Sequence, residues 1–183
     1  DKDDIVYADE YDIVYNVNKD NVFGVSDENI HIFKWIKQGK SLEGTAIYDY
    51  FGDPISISSD GTRIAVGAPW NDGNNNIINI GQVKIYDLSG NSWIQVGQDI
   101  YGGDAMHDYF GYSISLSADG SRIAVGIPYH DGVNGSSNAI GRVKIYDWNG
   151  NSWTQVGQNI DGEARNDYSG FSVSLSATGS RLA

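Results

Sequence analysis

Between residues 112 and 117 apolar and polar side chains alternate, with Ile114 and Leu116 set among Ser113, Ser115 and Ser117. A period of two over this length predicts a β-strand with one buried face. Ala118-Asp119-Gly120-Ser121 then separates this run from a second apolar run, 122–128, which ends at Pro128. Asp-Gly between two such runs predicts a two-residue hairpin in which both central residues take positive φ. Proline has no N–H to donate and ends the second strand. A polar loop covers 129–140. A third strand is predicted over 142–148, where Val143 and Ile145 alternate with Lys144 and Tyr146. Asn149-Gly150 turns the chain into a fourth strand beginning near Trp153.

The same pattern runs through 54–73, continues at 83–88 and Trp93, and begins a third time after Gly170. Gly52, Gly111 and Gly170 stand 59 residues apart, and so do Gly61, Gly120 and Gly179. The third hairpin carries Thr178-Gly179 in place of Asp-Gly, which predicts a weaker turn or one of another type. Residues 1–48 fit the repeat poorly. They are assigned to a divergent unit with strands near 12–17, 21–25 and 29–35. Blades then cover 49–107 and 108–166, and 167–183 starts a further one.

Short strands recurring at this period predict an all-β fold, a β-propeller of four-stranded antiparallel blades of about 59 residues. A β-sandwich fits the strand spacing but not the strict recurrence. An open solenoid fits the recurrence, although solenoid repeats are usually shorter. Propellers close with about 4–8 blades, so the expectation is a partial propeller, completed by further blades or by neighbouring subunits.

Composition narrows the picture. The 40% hydrophobic and 12% aromatic content is that of a folded chain. With 23 glycines and 3 prolines it suits many tight turns, and the absence of cysteine removes disulfides and thiolate metal sites. The formal net charge of −12 opposes nucleic-acid and anionic-membrane partners. No segment approaches the length of a membrane span.

Phe51-Gly52 followed by Gly67-Ala68-Pro69 resembles the FG-GAP repeat of integrin α-subunit propellers and their relatives, with matching residues from Asp49 to the end of the chain. The second copy keeps Phe110-Gly111 but has Ile127 in the GAP position, and the third has Ser169 before Gly170. The resemblance implies an extracellular or surface propeller used in adhesion or assembly. Blades of that family often carry a calcium loop between their first two strands. Here Asp60-Gly61 and Asp119-Gly120 leave no room for a cage of oxygens, so no calcium is expected there.

Asp49, Asp108 and Asp167 recur before the aromatic–glycine pair, and Arg63, Arg122 and Arg181 recur after the first hairpin. Residues present in every repeat serve the repeat itself. The expectation is a carboxylate bonded to a turn amide or an Asp–Arg pair between sheets. The loops after the second strand carry Trp70, Asn71, Asp72 and Asn74 in one copy and Tyr129, His130, Asp131 and Asn134 in the next. Variable loops on a repeating scaffold are where binding resides, and aromatic rings beside polar groups suit an interface. The competing reading packs each ring over its own blade.

Asp72, Asn74 and Asn76 alternate like half of a calcium loop but lack its later glycine and acid, so calcium is the weaker reading and no cofactor is expected. Trp93 and Trp153 are assigned to the core. His31, His107 and His130 fall at unrelated repeat positions and suggest no histidine chemistry, and Asp104, Asp161 and Glu163 are assigned to solvated turns. The functional expectation is a non-enzymatic surface module that binds protein or glycan. A structural filament or capsid component, or a propeller-type glycosidase or lyase, is the alternative.

Overall fold

The computed structural model describes residues 37–73, 77–132 and 139–183. The chain divides into a unit ending at Gln38 and a unit from Gly39 to Ala183. The N-terminal strands expected within 12–35, His31, Asn74, Asn76 and Asn134 lie outside the described residues. The second unit is all-β and holds two four-stranded antiparallel sheets, each in sequence order. The first contains β1 (Ile55–Ile57), β2 (Arg63–Ala68), β3 (Gln82–Ser89) and β4 (Ser92–Gln95). The second contains β5 (Ser113–Leu116), β6 (Arg122–Ile127), β7 (Arg142–Trp148) and β8 (Trp153–Asp161).

Alternation decides which side chains meet. Ala65 pairs with Ile85 and Gly67 with Val83, so these four share one face of the first sheet. Ile114 pairs with Val125 and Leu116 with Ile123, which puts those four on one face of the second. Ala65, Val83 and Ile85 of the first set and all four of the second close into one buried cluster with Ile100, Phe110, Ile127, Tyr146 and Trp153. The sheets therefore stack front to back, each showing its neighbour a different side. Burying a side chain of this size contributes roughly 1.5–3 kcal/mol, and Phe110, Ile123 and Val125 are fully enclosed.

Two glycines permit the stacking. A Cβ on Gly67 would sit 2.6 Å from the Gly111 carbonyl, and one on Gly126 would collide with the Gly170 carbonyl. The glycine of the GAP segment in one copy thus packs on the glycine of the FG segment in the next. Serines join the copies as well. Leu116 N–H donates to Ser56 Oγ at 2.9 Å, and Leu175 N–H donates to Ser115 Oγ at 2.9 Å. Ser113 Oγ donates to the Gly170 carbonyl at 2.7 Å.

The hairpins differ from the expected two-residue turn. Ser58 pairs with Arg63 around a four-residue loop, and Gly61 N–H donates to the Ser58 carbonyl. Only the glycine is left-handed, at φ 72° for Gly61 and 66° for Gly120, whereas Asp60 and Asp119 are not. The aspartates act through their carboxylates. Asp60 accepts from the Ser58 hydroxyl and from both the Thr62 amide and hydroxyl, and Asp119 does the same with Ser117 and Ser121. The Thr178-Gly179 turn is of the same form, not another: Gly179 has φ 66° and its N–H donates to the Ser176 carbonyl at 2.8 Å. There the carboxylate's bonds are replaced by a single contact between the Thr178 and Ser180 hydroxyls.

Of the two tryptophans assigned to the core, Trp153 is buried and donates from Nε1 to the Val96 carbonyl of the first repeat. Trp93 is half-buried.

Candidate functional site

The loop after β2 is bonded to the lead-in of the following sheet. His107, Tyr109 and Phe110 donate their amides to the carbonyls of Ile78, Asn79 and Ile80. Tyr168 and Ser169 do the same with Ala139 and Ile140. This pairing holds Tyr109 and Tyr168 in the left-handed region, at φ 55° and 51°, and the equivalent Tyr50 is left-handed too, at φ 56°. Tyr48, His107 and Asn166, two positions earlier, are left-handed too. Non-glycine residues seldom adopt this conformation, and here it recurs at the same two positions of each copy.

The rings so placed form a continuous ladder across repeat boundaries. Trp70 lies 4.5 Å from Tyr50 and 5.3 Å from Tyr109 between centroids. Tyr129 lies 5.2 Å from Tyr109, 5.8 Å from Tyr112 and 5.6 Å from Tyr168. Tyr112 extends the row to Phe171 at 5.1 Å. Trp70 and Tyr129 therefore do not pack each over its own sheet alone; each bridges to rings of the next repeat. The groove beside them encloses about 550 Å³ and is lined by Trp70, His107, Tyr109, Tyr129, Asp131 and Tyr168 among others. Tyr129 is 37% exposed. Burial, followed by the neighbouring Tyr112 and Tyr168, raises its phenol pKa above the ordinary value.

Beneath the rings the loop residues serve the scaffold. Asp72 and Asp131 accept the amides of Asn79 and Ala139 at 2.9 and 3.1 Å. Asn71 donates to Asp49 at 2.7 Å. At the equivalent place His130 Nδ1 lies 3.2 Å from Asp108, with both side chains buried. Asp108 also accepts the amides of Asp104 and Ala105. Burial pushes its pKa up, but the bonds from His130 and those two amides outweigh it and hold the carboxyl below its ordinary value. Among the described residues, the buried His130 Nε2 meets no hydrogen-bond partner. Asp167 accepts the Ala164 amide at 2.7 Å.

The recurrent arginines pair with another aspartate, not with the one before Phe-Gly. Arg63 forms a two-pronged bond with Asp87 at 2.6 and 2.7 Å and reaches the Gly120 carbonyl of the next repeat at 3.0 Å. Arg122 repeats this with Asp147 and Gly179. The salt bridge lies within one sheet; the link between sheets is to a carbonyl. The Arg63 guanidinium also sits 5.8 Å from the Trp148 ring centre and 5.9 Å from that of Trp153. Phe51 and Phe110 meet Tyr86 and Tyr146 edge-on. Gly52, Gly111 and Gly170 all have positive φ, while Arg181 donates its amide to Ser176 Oγ at 3.0 Å.

Two groups were not foreseen. The tyrosines at 50, 109 and 168 recur as strictly as the aspartate and glycine around them, and that recurrence was their signal. Arg142 and Lys144 are buried cations in the interior of the second repeat. Arg142 bonds Asp161 and Asp104, and Lys144 bonds the Gly102 carbonyl at 2.6 Å and Asp104 at 3.2 Å. Asp104 and Asp161 are thus ion-paired, not simply solvated. Among the described residues no group of three His, Cys, Asp or Glu is placed to hold a metal ion. Compared with models of known protein families and with curated proteins, the sequence matches none.

Proposed function

We propose that the chain is part of a non-enzymatic β-propeller of the FG-GAP type, working outside the cell or on a cell or particle surface, with the aromatic rim binding a protein or glycan partner. The carrying observation is the ring ladder, in which Trp70 and Tyr129 join the left-handed Tyr50, Tyr109 and Tyr168 across three repeats. A row of rings that joins successive copies makes a single extended surface. Front-to-back stacking at a 59-residue period supports the propeller reading, since blades meet in this way around an axis. The net charge of −12 directs the surface away from polyanions.

The test is binding to immobilised panels of glycans and peptides. The wild-type chain is expected to select some of them, and Trp70→Ala with Tyr129→Ala to lose that selection by at least about tenfold, as for interface anchors, while keeping its far-ultraviolet circular dichroism. Equal binding by the variant, or its unfolding, would count against the rim.

A second reading, assembly with neighbouring blades or subunits, is favoured by Ile55 and Ile57. These are 60% and 57% exposed, whereas their equivalents Ile114 and Leu116 are buried against the first sheet. Exposed aliphatic side chains on a sheet face mark a contact surface.

A further inference from the structure

We propose that copies of this chain join head to tail, the hairpin over residues 171–183 of one copy seating on the open front of β1 in the next; this rests on the reading of Ile55 and Ile57 as an assembly surface. The two junctions inside the chain supply the pattern. In each, a serine of the leading repeat accepts an amide of the following one, Ser56 from Leu116 and Ser115 from Leu175. An arginine of the leading repeat reaches the following turn, Arg63 to the Gly120 carbonyl and Arg122 to the Gly179 carbonyl. At the first junction an aliphatic pair is covered: Ile114 and Leu116 are 8% and 7% exposed.

At the front of the first sheet only part of such a junction is filled. Gly39 lies against Trp93 and Leu88 as Gly97 lies against Trp153 and Trp148, and Gly44 lies against Phe51 as Gly102 lies against Phe110. Residues 39–44 therefore stand where the end of a preceding repeat would. At the β1 end of the sheet, Ile55 and Ile57 occupy the positions of Ile114 and Leu116 but stay 60% and 57% exposed. Gly61 likewise occupies the position of Gly120. What is open there has the outline of a first hairpin, the part that carries Ser56 and Arg63 in the next junction.

Residues 171–183 form a hairpin of this kind with the matching back uncovered. Ser174 and Ala183 exchange backbone bonds at 2.8 and 2.9 Å, a pair equivalent to Ser56 with Ala65 and Ser115 with Ala124. Ala65 and Ala124 are fully buried, whereas Ser174 and Ala183 are exposed. Arg181 is exposed as well, and among the described residues its guanidinium meets no partner, unlike those of Arg63 and Arg122. Charge fits too: the turn that Arg181 would reach holds Asp60, as the turn that Arg63 reaches holds Asp119. Once seated, Ser174 Oγ accepts the Ile57 amide of the second copy and Arg181 donates to that copy's Gly61 carbonyl. Front and back are different surfaces, so the contact is heterologous and repeats from copy to copy.

Sedimentation velocity of the whole chain over a range of concentrations tests this. The wild type is expected to gain species of two and more copies as concentration rises. Ile57→Glu spoils the front and Arg181→Glu the back. Both residues are exposed, so each variant should keep its melting temperature while its association weakens at least about tenfold. If Ile57→Glu melts early, Ile55→Glu takes its place. Mixed in equal amounts, the two variants bring together one intact front and one intact back, and pairs should form that grow no further. A wild type that stays single at every concentration overturns the docking together with the assembly reading. Association undiminished in either variant, or a mixture without pairs, overturns the docking and leaves assembly through another surface.

Discussion

The first and second sheets place different chemistry on the same scaffold positions. Asn71 reaches Asp49 where His130 reaches Asp108. Gln82 reaches the Tyr101 hydroxyl where Arg142 reaches the Asp161 carboxylate. Position 88 is leucine and its equivalent 148 is tryptophan, and the second sheet buries Trp153 more deeply than the first buries Trp93. At the second of these places both partners change together, the neutral Gln82 and Tyr101 giving way to the charged Arg142 and Asp161. The repeat requires a satisfied pair at each place more than any one residue. The Arg63–Asp87 and Arg122–Asp147 pairs do not vary, because the same guanidinium must also reach the next repeat's turn.

The comparison is broken most severely at the aromatic of the FG segment. Phe110 is fully buried and Phe51 only half-buried. Phe110→Ala should cost about 3–5 kcal/mol and Phe51→Ala clearly less, as measured by urea unfolding; equal costs would show that the sheets are packed alike. Next comes the exchanged pair. Arg142→Gln alone leaves Asp161 without its cation, while Asp104 keeps Lys144, and should cost about 1–3 kcal/mol. Arg142→Gln with Asp161→Tyr recreates the first sheet's pair and should recover most of that loss; simple additivity of the two changes would show that they do not act together.

The smallest effect lies at the hairpin carboxylates. Hydroxyl and amide donors lower the pKa of Asp60 and of Asp119 to about 2. A carboxylate whose folded pKa lies below its unfolded value of 3.8 stabilises the fold above about pH 4, and that contribution fades as pH falls towards 2. Asp119→Thr, which gives the second hairpin the third one's residue, should therefore lower the melting temperature slightly at pH 6 and flatten its decline from pH 4 to 2. An unchanged decline would mean that the acid sensitivity arises elsewhere, with Asp108 the next to test, since its carboxyl is also held low.

The strands were legible because period-two alternation is a local signal. The third strand was placed over 142–148, as observed, and the first was drawn one residue too long at each end. The hairpin was misjudged because Asp-Gly carries two meanings. It suits a two-residue turn, but an aspartate flanked by Ser58 and Thr62 binds hydroxyls and an amide instead, which stabilises a longer loop. The loops of the rim were picked out, but not the tyrosines that join them, for alternation says nothing about rings outside strands. Arg142 and Lys144 were missed because Asp104 comes from a linker some forty residues earlier. A faint trace existed in the paired change from Gln82 and Tyr101 to Arg142 and Asp161.

Two kinds of side-chain bond that cross between repeats use atoms that recur at the same offset, from Ser56 to Leu116 and from Ser115 to Leu175, and from Arg63 to Gly120 and from Arg122 to Gly179. At these places a junction is indifferent to its ordinal number. Excising or duplicating a whole unit would rejoin them unchanged, whereas the bonds of Arg142 and Lys144 to Asp104 and of Trp153 to Val96 belong to one junction and would have to be rebuilt.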